Sequence, residues 1–171
     1  MEITDINSFL SYYKKIRKRT LRVIACIPPE KMEWSPKPEK MTLGDIIRHL
    51  AAIERYMYAE TIRGNKSKYP GYQKEVAASY PTSVDFMNAL HEESLEIFGK
   101  MTPEQLQQKC LTPAKTPITV WKWLRAMVEH EVHHRGHIYT YLGLLGIKTP
   151  PIFGLTSEEV LDRSEPQRYI K

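Results

Sequence analysis

Apolar residues recur every three or four positions along most of this chain, the period of a half-buried helix. Ile6, Phe9, Leu10, Tyr13, Ile16, Leu21, Ile24 and Ile27 predict a first helix from about Asp5 to Ile27, stopped by Pro28-Pro29. A loop from Glu30 to Met41, centred on Trp34-Ser35-Pro36-Lys37-Pro38, leads to a second helix. Thr42 opens it with Asp45 three residues on, as in a capping box. Its stripe is Leu43, Ile46, Ile47, Leu50, Ile53 and Met57, and Gly64-Asn65 ends it. Lys66 to Thr82, holding Pro70-Gly71 and Pro81, reads as a loop long enough to suggest a function. A third helix is expected from Thr82 or Ser83 to about Lys100, and a short one at Thr102-Pro103-Glu104-Gln105. Pro113 and Pro117 hold the next stretch open before a fourth long helix from about Thr119 to Gly146. Beyond Pro150-Pro151, Thr156-Ser157-Glu158-Glu159 starts a short terminal helix. No strand-length alternation and no internal repeat stand out. The expectation is an all-α bundle of four helices with a short extra C-terminal helix, one domain over residues 1–171.

With 42% hydrophobic residues in 171, the chain can bury a sizeable core, yet no apolar run nears the length that crosses a bilayer. Met1 to Asp5 is polar and acidic, so no secretory signal is expected. Cys26 and Cys110 read as reduced thiols of a cytoplasmic protein. The formal net charge is +5, and much of it sits in Lys14, Lys15, Arg17, Lys18, Arg19 and Arg22. Five of these lie opposite the apolar stripe, as a solvated face would. A nucleic-acid patch is the competing reading of the same residues, and binding there is not expected. Arg17 falls beside Leu10 and Leu21 and is expected to snorkel at the core edge. Its alternative is a cleft where it meets an anion.

Four of the six histidines crowd into Glu129-His130-Glu131-Val132-His133-His134-Arg135-Gly136-His137. His130/His134 and His133/His137 are both i, i+4 pairs, whose rings share a helix face and can reach one ion. Phase separates them. Met127, Ile138 and Leu145 lie within about 40° of His134, and His130 lies about 40° to the other side, whereas His137 and His133 fall about 60° and 100° away. The inward pair is therefore His130 and His134, with the other two at the rim. Two inward histidines are either hydrogen-bonded core residues or ligands of a metal ion, for which imidazole is the commonest ligand. With Glu131 the letters also read His-Glu-x-x-His, the zincin pattern, where the glutamate is a general base.

Three segments carry a resemblance. The first runs from Trp34-Ser35-Pro36 through Met41-Thr42-Leu43-Gly44-Asp45-Ile46-Ile47-Arg48-His49-Leu50 to Glu54. The second is His130-x-x-x-His134-Arg135-Gly136-His137 with Tyr139-Thr140-Tyr141-Leu142-Gly143-Leu144-Leu145-Gly146, and the third is Pro150-Pro151-Ile152-Phe153-Gly154-Leu155-Thr156. Together they make the chain resemble the DinB/YfiT-like family of metal-dependent enzymes, the DinB superfamily. That resemblance implies an up-and-down-type four-helix bundle, often a homodimer. It also implies one divalent metal ion, zinc or nickel, held by one histidine of the second helix and two of the last long helix: His49, His130 and His134. His49 lies about 100° from Leu50, at the margin of its helix's stripe, so its ligand role rests on the resemblance. Many members of the family carry Gln where His137 stands. Glu131 is a candidate catalytic base, a group orienting a ligand, or a surface acid.

Three neutral nitrogens would leave an ion open positions, the mark of a catalytic rather than structural site. A water there could become a nucleophile, and a thiol could be held as thiolate. The resemblance to thiol-dependent members implies S-transferase-type chemistry between a small-molecule thiol and an electrophile, with metal-dependent hydrolysis as the alternative. Tyr56, Tyr58 and Tyr139 are candidate lining residues. Three other readings stay open: a zincin protease drawing a third ligand from Glu158 or Glu159, a nucleic-acid binder, and a metal-free interaction bundle.

Overall fold

The computed structural model describes residues 2–164. Helix α1 spans Ile6–Ile24, capped by Asp5, whose carboxylate accepts from the amides of Asn7 and Ser8. It ends three residues before the expected Ile27, because Cys26 and Ile27 bond back only three residues, to Val23 and Ile24. The position before a proline disfavours the helical region, so the chain tightens and leaves. Helix α2, Leu43–Ile53, starts at Thr42 with the expected capping box to Asp45. The expected continuous run to Gly64 is interrupted. Glu54–Tyr58 form a π turn, and a further short helix α3 covers Ala59–Ile62.

Helix α4, Tyr80–Gly99, begins earlier than the sequence suggested. Ser79 is the cap, boxed with Thr82, and Pro81 lies in the first turn, where its missing N–H costs nothing. Helix α5 is Pro103–Gln107. Strands β1, Lys109–Leu111, and β2, Pro117–Thr119, form an antiparallel hairpin that the sequence reading missed. Three residues are too few to show alternation. Helix α6, Val120–Leu144, is the longest, and α7, Ser157–Arg163, is the expected short C-terminal helix.

Helices α1, α2, α4 and α6 make the four-helix bundle; α2 packs along α4, and α1 along α6. The interior holds two apolar clusters. One gathers Phe9, Tyr13, Ile16, Tyr58, Phe98, Leu124 and Met127. The other gathers Ile24, Leu43, Ile46, Ile47, Met87, Leu90, Ile138 and Leu142. On α1, on α4, on α6 and at the π turn after α2, buried polar residues lie between the two clusters: Arg17 and Thr20, His91 and Ser94, Glu131 and His134, and Glu54 respectively. A polar layer thus crosses the bundle between two greasy halves.

Arg17 corrects an expectation. It does not snorkel; it is 3% exposed. Its Nη2 donates to the Tyr13 hydroxyl (3.2 Å), to Glu131 (3.0 Å) and to Glu54. Thr20 donates to the other Glu131 oxygen at 2.7 Å, and His91 Nδ1 lies 2.9 Å from the other Glu54 oxygen. Acids from two other helices meet Arg17 at its own level, so its charge finds partners inside. Burial pushes the Glu54 carboxyl up, but Arg17 and His91 outweigh it and hold it below its ordinary value.

Replacing Arg17 with Met should cost about 3–5 kcal/mol, since two carboxylates lose their partner in the interior. The exposed Lys15→Met should change stability by less than about 0.5 kcal/mol. Urea unfolding midpoints of the two variants check this, and equal midpoints would contradict it.

Candidate metal centre

At the edge of the polar layer, α2 and α6 bring three imidazoles together. His49 Nε2 and His130 Nε2 are 3.2 Å apart, and His134 Nε2 and His130 Nε2 are 3.1 Å apart. The three donor atoms all lie within 4.8 Å of one another. His134 is buried, and His49 and His130 are half-buried. Burial pushes the His49 ring down to about 4, with His130 adding to it. It pushes His130 to about 4, helped by His133. His134 goes to about 3 through burial and its histidine neighbours. All three rings are neutral at pH 7, the form that ligates metals.

The arrangement fits a cation better than a hydrogen-bonded cluster. A neutral ring nitrogen carries either one N–H or one lone pair. His130 Nε2 faces two ring nitrogens and can satisfy only one of them. An ion would use all three lone pairs, and tetrahedral bonds of about 2.0–2.1 Å place donors about 3.3 Å apart, near the 3.2 and 3.1 Å that separate His130 from His49 and from His134. The other side of His49 agrees. Its Nδ1 lies 2.6 Å from the Tyr69 hydroxyl, which can accept Nδ1–H and so leave the Nε2 lone pair facing the other rings.

Tyr69 comes from the loop after α3, and Arg48 explains how that loop is held. Arg48 is fully buried. Its guanidinium donates to the carbonyls of Tyr72 (2.9 Å) and Ala77 (3.2 Å) and pairs with Glu33 and Asp45. Lys68 N–H donates to the Tyr56 carbonyl at 2.7 Å. The residue next to His49 in sequence thus fixes the segment whose tyrosine meets His49 in space. The Tyr72 ring also stands edge-on to His49, centroids 6.0 Å apart.

Glu131 does not join the three rings. It is 2% exposed, which overturns the surface-acid reading, and its oxygens accept from Thr20 and Arg17 on α1. His133 and His137 lie outside the triad, their rings 4.3 Å apart. Tyr58 is buried with its ring 6.2 Å from that of His130, whereas Tyr139 is exposed and Tyr56 packs against the apolar cluster of Ile47 and Met87. Glu158 and Glu159 sit on the exposed α7, and among the described residues the ligand-capable group contains His49 instead. The sequence reading missed Tyr69, Arg48 and His91. The length of the loop after α3 was the one available hint of Tyr69.

The sequence profile describing the DinB superfamily matches residues 12–138. The chain belongs to the DinB superfamily. Among curated superfamily relatives, "Uncharacterized protein YjoA" of Bacillus subtilis is 24% identical over 86% of this chain and 95% of YjoA. The crystal structure of YjoA, a DinB-like protein, superposes with a TM-score of 0.70 at 22% identity, covering 87% of this chain and 99% of that one. "Putative metal-dependent hydrolase OB0413" of Oceanobacillus iheyensis is 20% identical over 80% of this chain and 84% of its own. YfiT of Bacillus subtilis, described as "a probable metal-dependent hydrolase with an unusual four-helix bundle topology", gives a TM-score of 0.70 at 14% identity, over 86% of this chain and 91% of YfiT. The structural likenesses establish the shared superfamily fold. Among the described residues no helix is long and apolar enough to cross a membrane.

Two outcomes are expected, the first of the metal-free protein and the second on adding metal. The folded His49, His130 and His134 titrate below the ordinary 6.5, so the unfolded chain takes up protons first. Their contribution to stability is complete above about pH 6.5 and is lost as pH falls through about 4, readable in urea midpoints from pH 7.5 to 4.5. Tyr69→Phe should weaken zinc or nickel binding by about 10–100-fold, measured by competition with a chromophoric chelator.

Proposed function

We propose that this DinB-superfamily protein holds one divalent metal ion, zinc or nickel, on His49, His130 and His134 and hydrolyses a small molecule there. The observation that carries the reading is the convergence of three neutral Nε2 atoms from two helices. Three nitrogen ligands leave positions open for a reactant. When bound, the ion supplies Lewis acidity toward a water or a thiol.

The protein's own part is positioning. Tyr69 holds the His49 ring by Nδ1. Arg17 ties Glu54, beyond the end of α2, to Glu131 on α6, and these two helices carry the three imidazoles. Glu131, with Arg17 and Thr20 on its oxygens, acts as a positioning residue rather than as the base. The half-buried His49 and His130 leave the centre reachable from solvent.

Hydrolysis is favoured over thiol transfer because OB0413 is named "Putative metal-dependent hydrolase" and YfiT is described as "a probable metal-dependent hydrolase". The expected S-transferase chemistry finds no such support. The proposal keeps the expected homodimer, which light scattering would check.

Metal analysis of tag-free protein should find about one equivalent of zinc or nickel. His49→Ala should reduce it to a trace while the helical circular dichroism persists. The loaded protein is then assayed on ester, amide and lactone panels with and without small thiols. Turnover without thiol supports hydrolysis, and turnover only with thiol replaces it by transfer. Unchanged metal content in His49→Ala would end the three-histidine reading.

A further inference from the structure

His133 and His137 have no task in the site described so far. They stand one turn apart on α6, ring centroids 4.3 Å apart and planes inclined by 69°. His133 is exposed and His137 half-buried, and neither side chain makes a hydrogen bond among the described residues. Their rings also adjoin the centre, with His133 5.2 Å and His137 5.3 Å from the His134 ring.

We infer that His133 and His137 form a second, exchangeable site for a divalent transition-metal ion, through which the three-histidine centre is loaded. The inference rests on the metal reading of that centre. An i, i+4 pair of imidazoles can grip one ion, since both rings leave the same helix face within bonding reach. Imidazole suits zinc, nickel and copper, so the ligand class matches the inner site.

Position supplies the direction of transfer. The outer pair faces solvent, and His134, the most buried of the three inner ligands, lies beside both its rings. An ion on the rim can therefore exchange one imidazole for the next without returning to bulk water. No bond to carbon forms or breaks, and each departing ring is replaced by an arriving one or by water.

The outer site is built to be weak. It offers two ligands against three, and among the described residues no third histidine, cysteine or carboxylate forms a ligand-capable group with the pair. Lys40, from the loop before α2, lies close enough to repel positive charge at His137. On its other side His137 is flanked by Tyr141, whose ring lies nearly parallel at 6.4 Å. An ion held by this pair is retained less firmly than one on the inner triad, as a loading step requires.

The test uses full-length, tag-free, chelator-stripped protein and zinc alone. Calorimetry should resolve one tight equivalent and one weak equivalent. The double variant His133→Gln, His137→Gln should lose the weak equivalent and keep the tight one. Stopped-flow transfer of zinc from a chromophoric chelator should slow several-fold in that variant. His49→Ala should lose the tight equivalent and keep the weak one. A single binding step in the unaltered protein, or an unchanged loading rate in the double variant, would overturn the inference. Persistence of the tight step in His49→Ala would instead overturn the inner-site reading, while loss of the weak step in the double variant would still support the outer pair as a binding site. Both substituted residues lie toward the surface, and circular dichroism checks that the fold is retained.

Discussion

One buried guanidinium sets the terms for the rest of this structure. Arg17 reaches Glu54 beyond the end of α2 and Glu131 on α6, and it is sealed from water. Burying such a charge is unfavourable unless opposite charges meet it. The arrangement with α1, α2 and α6 at one mutual height brings both acids onto its Nη2, while Nε and Nη1 have no hydrogen-bond partner among the described residues. Apolar packing above and below stabilises the bundle without fixing that height closely, because hydrophobic contact is non-directional. The ion pairs are directional, and they act on the two helices that bear His49, His130 and His134. Precision at the three-imidazole cluster is thereby drawn from ion pairs that include none of its rings.

The same layer accounts for the character of the three imidazoles. They sit at its rim, where burial suppresses protonation, so they remain neutral well below physiological pH. A fully apolar setting would have left the His49 Nδ1 without its Tyr69 partner. A fully exposed one would have let them charge in mild acid. His49 has the Tyr69 hydroxyl on its outer nitrogen, whereas His134 Nδ1 is buried without a protein partner. The rings are thus unequally held, with His49 the most firmly oriented.

Much of this was legible in the sequence. Helical periodicity located all four long helices, and phase alone separated His130 and His134 from His133 and His137. The boundaries that slipped did so for local reasons: Ser79 and not Thr82 caps α4, and Pro81 belongs inside its first turn. Arg17 was misjudged because a periodic stripe shows which residues face inward but not what will face them. Its two acids lie 37 and 114 residues away in the chain. His49 sat at the edge of its stripe and needed the family resemblance to be noticed. Tyr69 was signalled only by the length of its loop, since a loop residue carries no period and its place is dictated by Arg48 reaching across to Tyr72 and Ala77.

The π turn at Glu54–Tyr58 adds a last point. A wider turn accommodates one residue more than a regular helix of the same rise. Residues before it, including His49, and residues after it, on α3, are therefore out of step with a single helical wheel. A relative whose helix runs straight through would need a one-position gap here before both halves line up with this chain. Pairwise identities calculated without that gap would understate kinship on one side of the turn.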